Sequence, residues 1–238
     1  MKIEIWSDFA CPFCYIGKRQ LDLALKDFPN RKHVMIEYRS YELNSSVDKN
    51  SNKKMKDFLA DYYNIPIKKI QEMTADITEQ AKQVGLTYRL DNLMQINTFD
   101  VHRFMKYACT KNKESEVVER LLQGYFINME RIDDHSILMK ISEEFQFNED
   151  EVSSVLNAKK FSRAVKCDQT EAKEMGIQGV PFFLFNEQYA VSGAQPIDVF
   201  KQVLETIWEK MNEEPKFTLR KSDHSKTSYC TGSDCEKE

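Results

Sequence analysis

Phe9-Ala10-Cys11-Pro12-Phe13-Cys14-Tyr15 is the stretch from which the rest of the chain can be read. Before it, Ile3 and Ile5 alternate with Lys2 and Glu4, the period-two pattern of a half-buried strand. After it, Leu21, Leu25 and Phe28 recur at helical spacing, which puts the two cysteines on the first turn of an amphipathic helix. That turn offers free backbone N–H groups and the positive end of the helix dipole, and both favour a thiolate over a thiol. A cysteine so placed ionises below the ordinary value of about 8.5. With two residues between them, the second cysteine can attack a mixed disulfide formed by the first. Half of a zinc site, or two cysteines that are merely buried, are the competing readings. The order strand, Cys-x-x-Cys, helix favours redox exchange.

The chain has 238 residues, 41% of them hydrophobic, enough for one large domain or a domain carrying a substantial insertion. Charged residues make up 30% and the net charge is −4, so no broad basic surface invites nucleic acid. No run of about 18 apolar residues is present, so no membrane span is expected. Met1 leads into the first strand without a basic and apolar leader, so a cytoplasmic location is expected. Disulfides in that compartment are usually transient and catalytic.

Pro29-Asn30 ends the first helix, and His33 to Tyr41 reads as a second strand, with Val34, Ile36 and Tyr38 on one face. Strand, helix and strand of these lengths predict a right-handed parallel crossover with the cysteines at the carboxyl end of the first strand, where open α/β sheets carry their sites. From Ser51 to Met175 charged segments carry apolar residues every three or four positions, as in Met55, Phe58, Leu59 and Tyr62, or Val117, Val118, Leu121, Leu122 and Tyr125. This rhythm predicts five to seven helices whose stripes are core. Pro66 suits the first turn of one and Asp134 the cap of another. At Gly176 strands return: Phe182-Phe183-Leu184-Phe185 runs out, Asn186-Glu187-Gln188 turns, and Tyr189-Ala190-Val191 runs back, a hairpin without the favoured Asn-Gly. Pro196 then opens a last helix striped by Val199, Phe200, Val203, Leu204, Ile207 and Met211. The expected organisation is a discontinuous domain over 1–50 and 176–214, a helical insertion over 51–175, and a polar tail over 215–238.

Together these elements compose an α/β thioredoxin-like fold, βαβ followed by ββα, with a large all-helical insertion. The chain resembles the DsbA-like family, and within it the FrnE-type cytosolic branch of disulfide oxidoreductases. Four segments carry the resemblance: Asp8-Phe9-Ala10-Cys11-Pro12-Phe13-Cys14-Tyr15-Ile16-Gly17, Asn97-Thr98-Phe99-Asp100-Val101-His102-Arg103, Gly176-Ile177-Gln178-Gly179-Val180-Pro181-Phe182-Phe183, and Val191-Ser192-Gly193-Ala194-Gln195-Pro196. It implies that Cys11 is an exposed nucleophile and Cys14 a more buried resolving cysteine. It also implies that Val180-Pro181 is a loop whose proline is cis, faces the pair and lets the preceding backbone bind a peptide. Pro12 and Phe13 join these two as substrate-binding residues. The implied activity is thiol–disulfide exchange with protein or small-molecule thiols and disulfides, glutathione among the candidates, and it needs no metal or organic cofactor. Phe13 stands where the strongly oxidising periplasmic members have histidine. A potential toward the reducing side of the thioredoxin-to-DsbA span, roughly −270 to −120 mV, is therefore expected.

Cys230 and Cys235 form a second close pair in the tail, a candidate auxiliary pair that passes a disulfide to or from Cys11 and Cys14. An inert tail or metal binding are the competing readings; a zinc site uniting both pairs is disfavoured, because structural zinc staples small folds and this chain has a core without it. Cys109 and Cys167 stand alone in helical stretches and are expected to be buried packing. His102 either faces the site or is a hydrogen-bonded structural histidine, the second being the expectation. Two other functions compete with redox exchange. One is a glutathione-dependent isomerase or transferase of the hydroxychromene-carboxylate isomerase and kappa glutathione transferase type, relatives that resemble this chain but carry serine at the place of Cys11 and an acidic residue near Gln195. The other is a chaperone-like or adaptor binding protein, whose action would survive loss of the thiols.

Overall fold

The computed structural model describes residues 1–49 and 51–212. Cys230 and Cys235, and the whole of the expected tail, lie outside the described residues. Strands β1 (Lys2–Ser7) and β2 (Met35–Ser40) run parallel, joined by helix α1 (Pro12–Asp27). Strand β3 (Phe182–Phe185) is antiparallel to β1, and β4 (Tyr189–Ser192) is antiparallel to β3. The sheet order is β2-β1-β3-β4, and helix α9 (Ile197–Asn212) follows it. The second strand is shorter than the sequence pattern implies, because Arg31–His33 closes a 3-10 turn instead of extending.

The side-chain alternation of β1 and β3 distributes apolar groups to two layers. Ile3, Ile5, Phe183 and Phe185 face the layer of α1 and α9, where Phe183 meets Phe200 edge-on at 4.9 Å between ring centroids. On the other face Trp6 and Leu184 pack with Ala172 and Ile177. The expectation of a half-buried β1 is therefore corrected: Glu4 is only 4% exposed, since β1 is an inner strand covered on both faces. Its carboxylate is tolerated there because Lys2 and Arg39 pair with it.

Between β2 and β3 lie seven α-helices among the described residues: α2 (Met55–Tyr63), α3 (Ile67–Gln83), α4 (Phe99–Thr110), α5 (Glu114–Phe126), α6 (His135–Glu144), α7 (Glu149–Asn157) and α8 (Ser162–Glu174). The caps follow ordinary rules. Asp134 accepts a hydrogen bond from the Ser136 N–H at the start of α6, and Asn148 one from the Glu151 N–H at the start of α7. Pro66 sits one position earlier than the sequence suggested, at the cap of α3. The apolar stripes of α4 and α5 enter the same cluster of buried residues as the α1-facing side of the sheet.

Two details close the sheet. The β3–β4 turn has Asn186 at φ 47° and Glu187 at φ 58°, the left-handed pair that a tight hairpin demands, reached without glycine. Asn186 is held by the backbone of Lys2, whose N–H donates to its Oδ1 at 2.7 Å and whose carbonyl accepts its N–H at 2.8 Å. On the opposite edge, side chains serve as partners for the open side of β2. The Tyr38 N–H donates to Glu114 Oε2, the Tyr38 carbonyl accepts from Lys106 Nζ, and the Ser40 N–H donates to Asp168 Oδ2. An edge strand so occupied offers little to a foreign strand.

Candidate active site

Helix α1 begins at Pro12, whose missing N–H costs nothing at that position, and Cys11 is its N-cap residue. Both cysteines are free thiols. The Cys14 N–H bonds the Cys11 carbonyl at 3.1 Å, closing the first turn. The Cys11 Sγ lies 3.5 Å from the Val180 carbonyl, to which its S–H donates. That contact places the loop before β3 beside Cys11, and the Val180–Pro181 peptide bond within it is cis. Pro12, Phe13 and Val180 are half-buried around it, and Pro181 is buried.

Cys11 is 4% exposed and Cys14 2%. The expectation of an exposed nucleophile is corrected: the Cys11 thiol is turned inward, against the Val180 carbonyl. Burial pushes the Cys14 thiol well above the ordinary thiol range, and the hydrogen bond with Cys11 and its charge push the same way. The second cysteine thus keeps its proton until the reaction calls for it.

Three contacts hold this arrangement. Gly17 is the first: a Cβ there would stand 3.0 Å from Pro181 Cγ and 3.1 Å from Phe183 Cζ, so a larger residue would have to displace these side chains by a few tenths of an ångström. The loop is fixed from its other end by the Gly193 N–H, which donates to the Pro181 carbonyl at 2.8 Å. Tyr88 is the second. Its hydroxyl donates to the Pro12 carbonyl at 2.7 Å, and its ring stacks between Tyr15 and Phe126. Burial, then the charge of Cys11, raises its pKa, so it stays a donor. Asp8 is the third: its carbonyl accepts the Cys11 N–H at 3.2 Å and its N–H donates to Cys14 Sγ at 3.4 Å, so one peptide segment touches both cysteines.

Sequence reasoning missed Tyr88 altogether and gave Asp8 no role. Tyr88 lies 76 positions from Pro12 in a short loop with no motif, and nothing in its neighbours signals the contact. The structural-histidine expectation for His102 is also corrected. Its ring is 1% exposed, packs against Phe9, and stands 3.4 Å from Asp8 Oδ1, yet neither ring nitrogen is hydrogen-bonded among the described residues. Cys109 and Cys167, expected to be buried, are exposed, because each falls on the outer side of its helix. Gln195 uses its amide within the loop, donating to the Ser192 carbonyl at 2.8 Å.

Comparison with known proteins agrees with the fold. The family described as DSBA-like thioredoxin domain matches residues 2–205. Among solved structures, the chain is similar to a probable DsbA oxidoreductase from Streptomyces coelicolor, with 32% identity and a TM-score of 0.84 over 90% of this chain and 92% of that one. It is also similar to a 2-hydroxychromene-2-carboxylate isomerase, with 14% identity and a TM-score of 0.70 over 89% and 98%. A third likeness is to the cytosolic disulfide reductase DsbM from Pseudomonas aeruginosa, with 12% identity and a TM-score of 0.60 over 88% and 100%. DsbM has also been solved with GSH. The last two likenesses are of fold alone.

Proposed function

We propose that this chain, which belongs to the DSBA-like thioredoxin domain family, exchanges disulfides through Cys11 and Cys14. The observation that carries the reading is a pair of free thiols on the first turn of α1, with Cys11 Sγ against the Val180 carbonyl. In the reducing direction the Cys11 thiolate attacks one sulfur of a substrate disulfide, and the other substrate sulfur leaves with the electron pair. Cys14 then attacks Cys11, loses its proton, and expels the second product sulfur. The substrate gains two electrons and the cysteine pair loses two. Run backwards, the Cys11–Cys14 disulfide oxidises a substrate dithiol. Pro12, Phe13, Val180 and Pro181 are the proposed substrate seat, with backbone polar groups of the Val180 loop offered to an extended peptide.

The proposed setting is the cytoplasm, with glutathione or protein thiols as electron partners. The name of the cytosolic DsbM and its solution with GSH support that reading by analogy. The FrnE-type resemblance supports Cys230 and Cys235 as an auxiliary pair that exchanges with Cys11 and Cys14. Glutathione-dependent isomerisation is the lesser reading, since Gln195 turns its amide to Ser192.

The test is a glutathione redox titration with alkylation and peptide mass spectrometry on both cysteine pairs. Reversible cycling of Cys11 and Cys14 is expected, abolished by Cys11→Ser, whereas Cys14→Ser should accumulate a mixed disulfide at Cys11. If neither pair cycles, the redox reading falls, leaving glutathione chemistry or a binding role. Cycling of the first pair alone would make Cys230 and Cys235 bystanders.

A further inference from the structure

A cavity of about 460 Å³ opens where α4 meets the turn between α7 and α8, and none of its lining residues belongs to the cysteine site. Its charge is one-sided. Lys49, Arg103, Lys159 and Lys166 bring four fixed positive charges to it, and Asp100 brings the one carboxylate. That carboxylate is already occupied. Arg103 Nη1 and Lys49 Nζ donate to it, and His135 Nε2 stands 3.0 Å from its Oδ2. Burial would raise the Asp100 pKa, yet these hydrogen bonds hold it at about 2, so it stays ionised and matched by its own partners. Lys159 and Lys166, by contrast, are exposed and have no ion pair among the described residues. Positive charge is thus left over at this spot, in a chain whose net charge is −4.

The wall that carries the free lysines is fixed from beneath. Buried Arg103 donates from Nε to the Lys160 carbonyl at 2.8 Å, and from its other nitrogens to the carbonyls of Leu156 and Val155. Lys159 and Phe161 take φ values of 54° and 63°, left-handed conformations uncommon outside glycine. The turn they form brings Ser162, the first residue of α8, to the cavity. No side chain caps this 13-residue helix, so the positive end of its dipole adds to the charge of the two lysines. Half-buried Phe99 and buried Leu156 supply the apolar part of the lining.

We propose that this cavity binds a small phosphorylated molecule, with its phosphoryl oxygens on Lys159, Lys166 and the first turn of α8, and its organic part against Phe99 and Leu156. A phosphate monoester carries close to two negative charges at neutral pH, which matches two unpaired ammonium groups; a single carboxylate would leave one of them unmatched. A helix start suits phosphate because its backbone N–H groups point at the ligand. The volume lies in the range of small-molecule sites. Arg103 contributes from behind: its donors are spent on Asp100 and on the turn, so it positions the lysines and leaves the ligand to them.

Isothermal titration calorimetry of the whole chain, with AMP and orthophosphate as probes, tests this. One AMP is expected to bind per chain, and orthophosphate about tenfold more weakly, because it has nothing to lay against Phe99 and Leu156. Lys159→Gln and Lys166→Gln should each weaken AMP by about tenfold. Lys32→Gln, which removes an exposed lysine from the 3-10 turn Arg31–His33, should leave it unchanged. If neither probe binds below about 10 mM, the assignment falls. Equal weakening by Lys32→Gln would reduce the effect to general charge attraction and overturn the site. AMP no tighter than orthophosphate would overturn the seat against Phe99 and Leu156. None of these outcomes bears on exchange at Cys11 and Cys14, whose own titration stands apart.

Discussion

Phe13 sits between the two cysteines, half-buried against the core cluster, and it brings apolar surface where a charge would act most strongly on Cys11. Replacing it by histidine would set an imidazolium two residues from the nucleophile. That charge stabilises the thiolate, hence the reduced form, and should raise the reduction potential by at least about 30 mV, equivalent to about 1.4 kcal/mol. A glutathione redox titration of Phe13→His measures it, and a potential that is unchanged or more negative would refute the electrostatic argument. At this scale the sequence showed what is covalently close. Cys11 and Cys14 stood out as candidates because their spacing has a chemical meaning, whereas Val180 and Pro181 were singled out only by the family resemblance. Asp8 and His102 were legible only as members of motifs, and Tyr88 not at all, since their contacts span 94 and 76 positions and depend on how distant elements dock. The burial of Cys11 was illegible for the same reason.

The open edge of β2 shows what an element requires beyond its own pattern. Alternation identified the strand, but only the docked helices reveal that Glu114, Lys106 and Asp168 serve as its missing neighbour. Glu114 is the strained member of that set. Burial raises its pKa to about 7, the Tyr38 N–H bonds only Oε2, and Oε1 has no partner among the described residues. The folded protein therefore binds a proton there more tightly than the unfolded chain, whose carboxyl keeps the ordinary glutamate value of 4.5. Between those two values stability falls as pH rises, and above about 7 the carboxylate disfavours folding by up to about 3 kcal/mol. Glu114→Gln keeps an oxygen for the Tyr38 N–H and has no charge to bury. It should be more stable than the wild type by about 2 kcal/mol at pH 8, with the difference vanishing toward pH 5. Urea denaturation at both pH values checks this, and a gap that is absent at pH 8 or constant with pH would remove Glu114 as its cause.

Across the whole molecule the apolar cluster runs from Ile3, Ile5, Phe183 and Phe185 on the sheet, through Phe9 and Tyr15, into Tyr88, Phe104, Leu121 and Phe126 of the helical segment. The sequence predicted the helices from their apolar stripes, and the structure has them. A stripe, however, says that a face is buried and not what buries it, so the division into a discontinuous domain and an insertion was an inference from composition alone. Polar contacts cross the same boundary: Tyr15 donates to Glu119 at 2.6 Å, Lys18 to Glu119 at 2.6 Å, and Tyr88 to Pro12. Shared core and shared hydrogen bonds should make the two segments unfold together. Trp208 packs against Phe28 beside α1, whereas Trp6 packs with Ala172 and donates to the Asp168 carbonyl of α8, so the fluorescence of Trp208, read in Trp6→Phe, reports the sheet side. Far-ultraviolet dichroism is dominated by helices, seven of which lie between β2 and β3. The two probes should give coincident urea transitions with one midpoint, the mark of a single cooperative unit. Midpoints that separate would make the helical segment a body with its own stability, and Tyr88 would then hold the Cys11 turn across a junction able to open without unfolding the sheet.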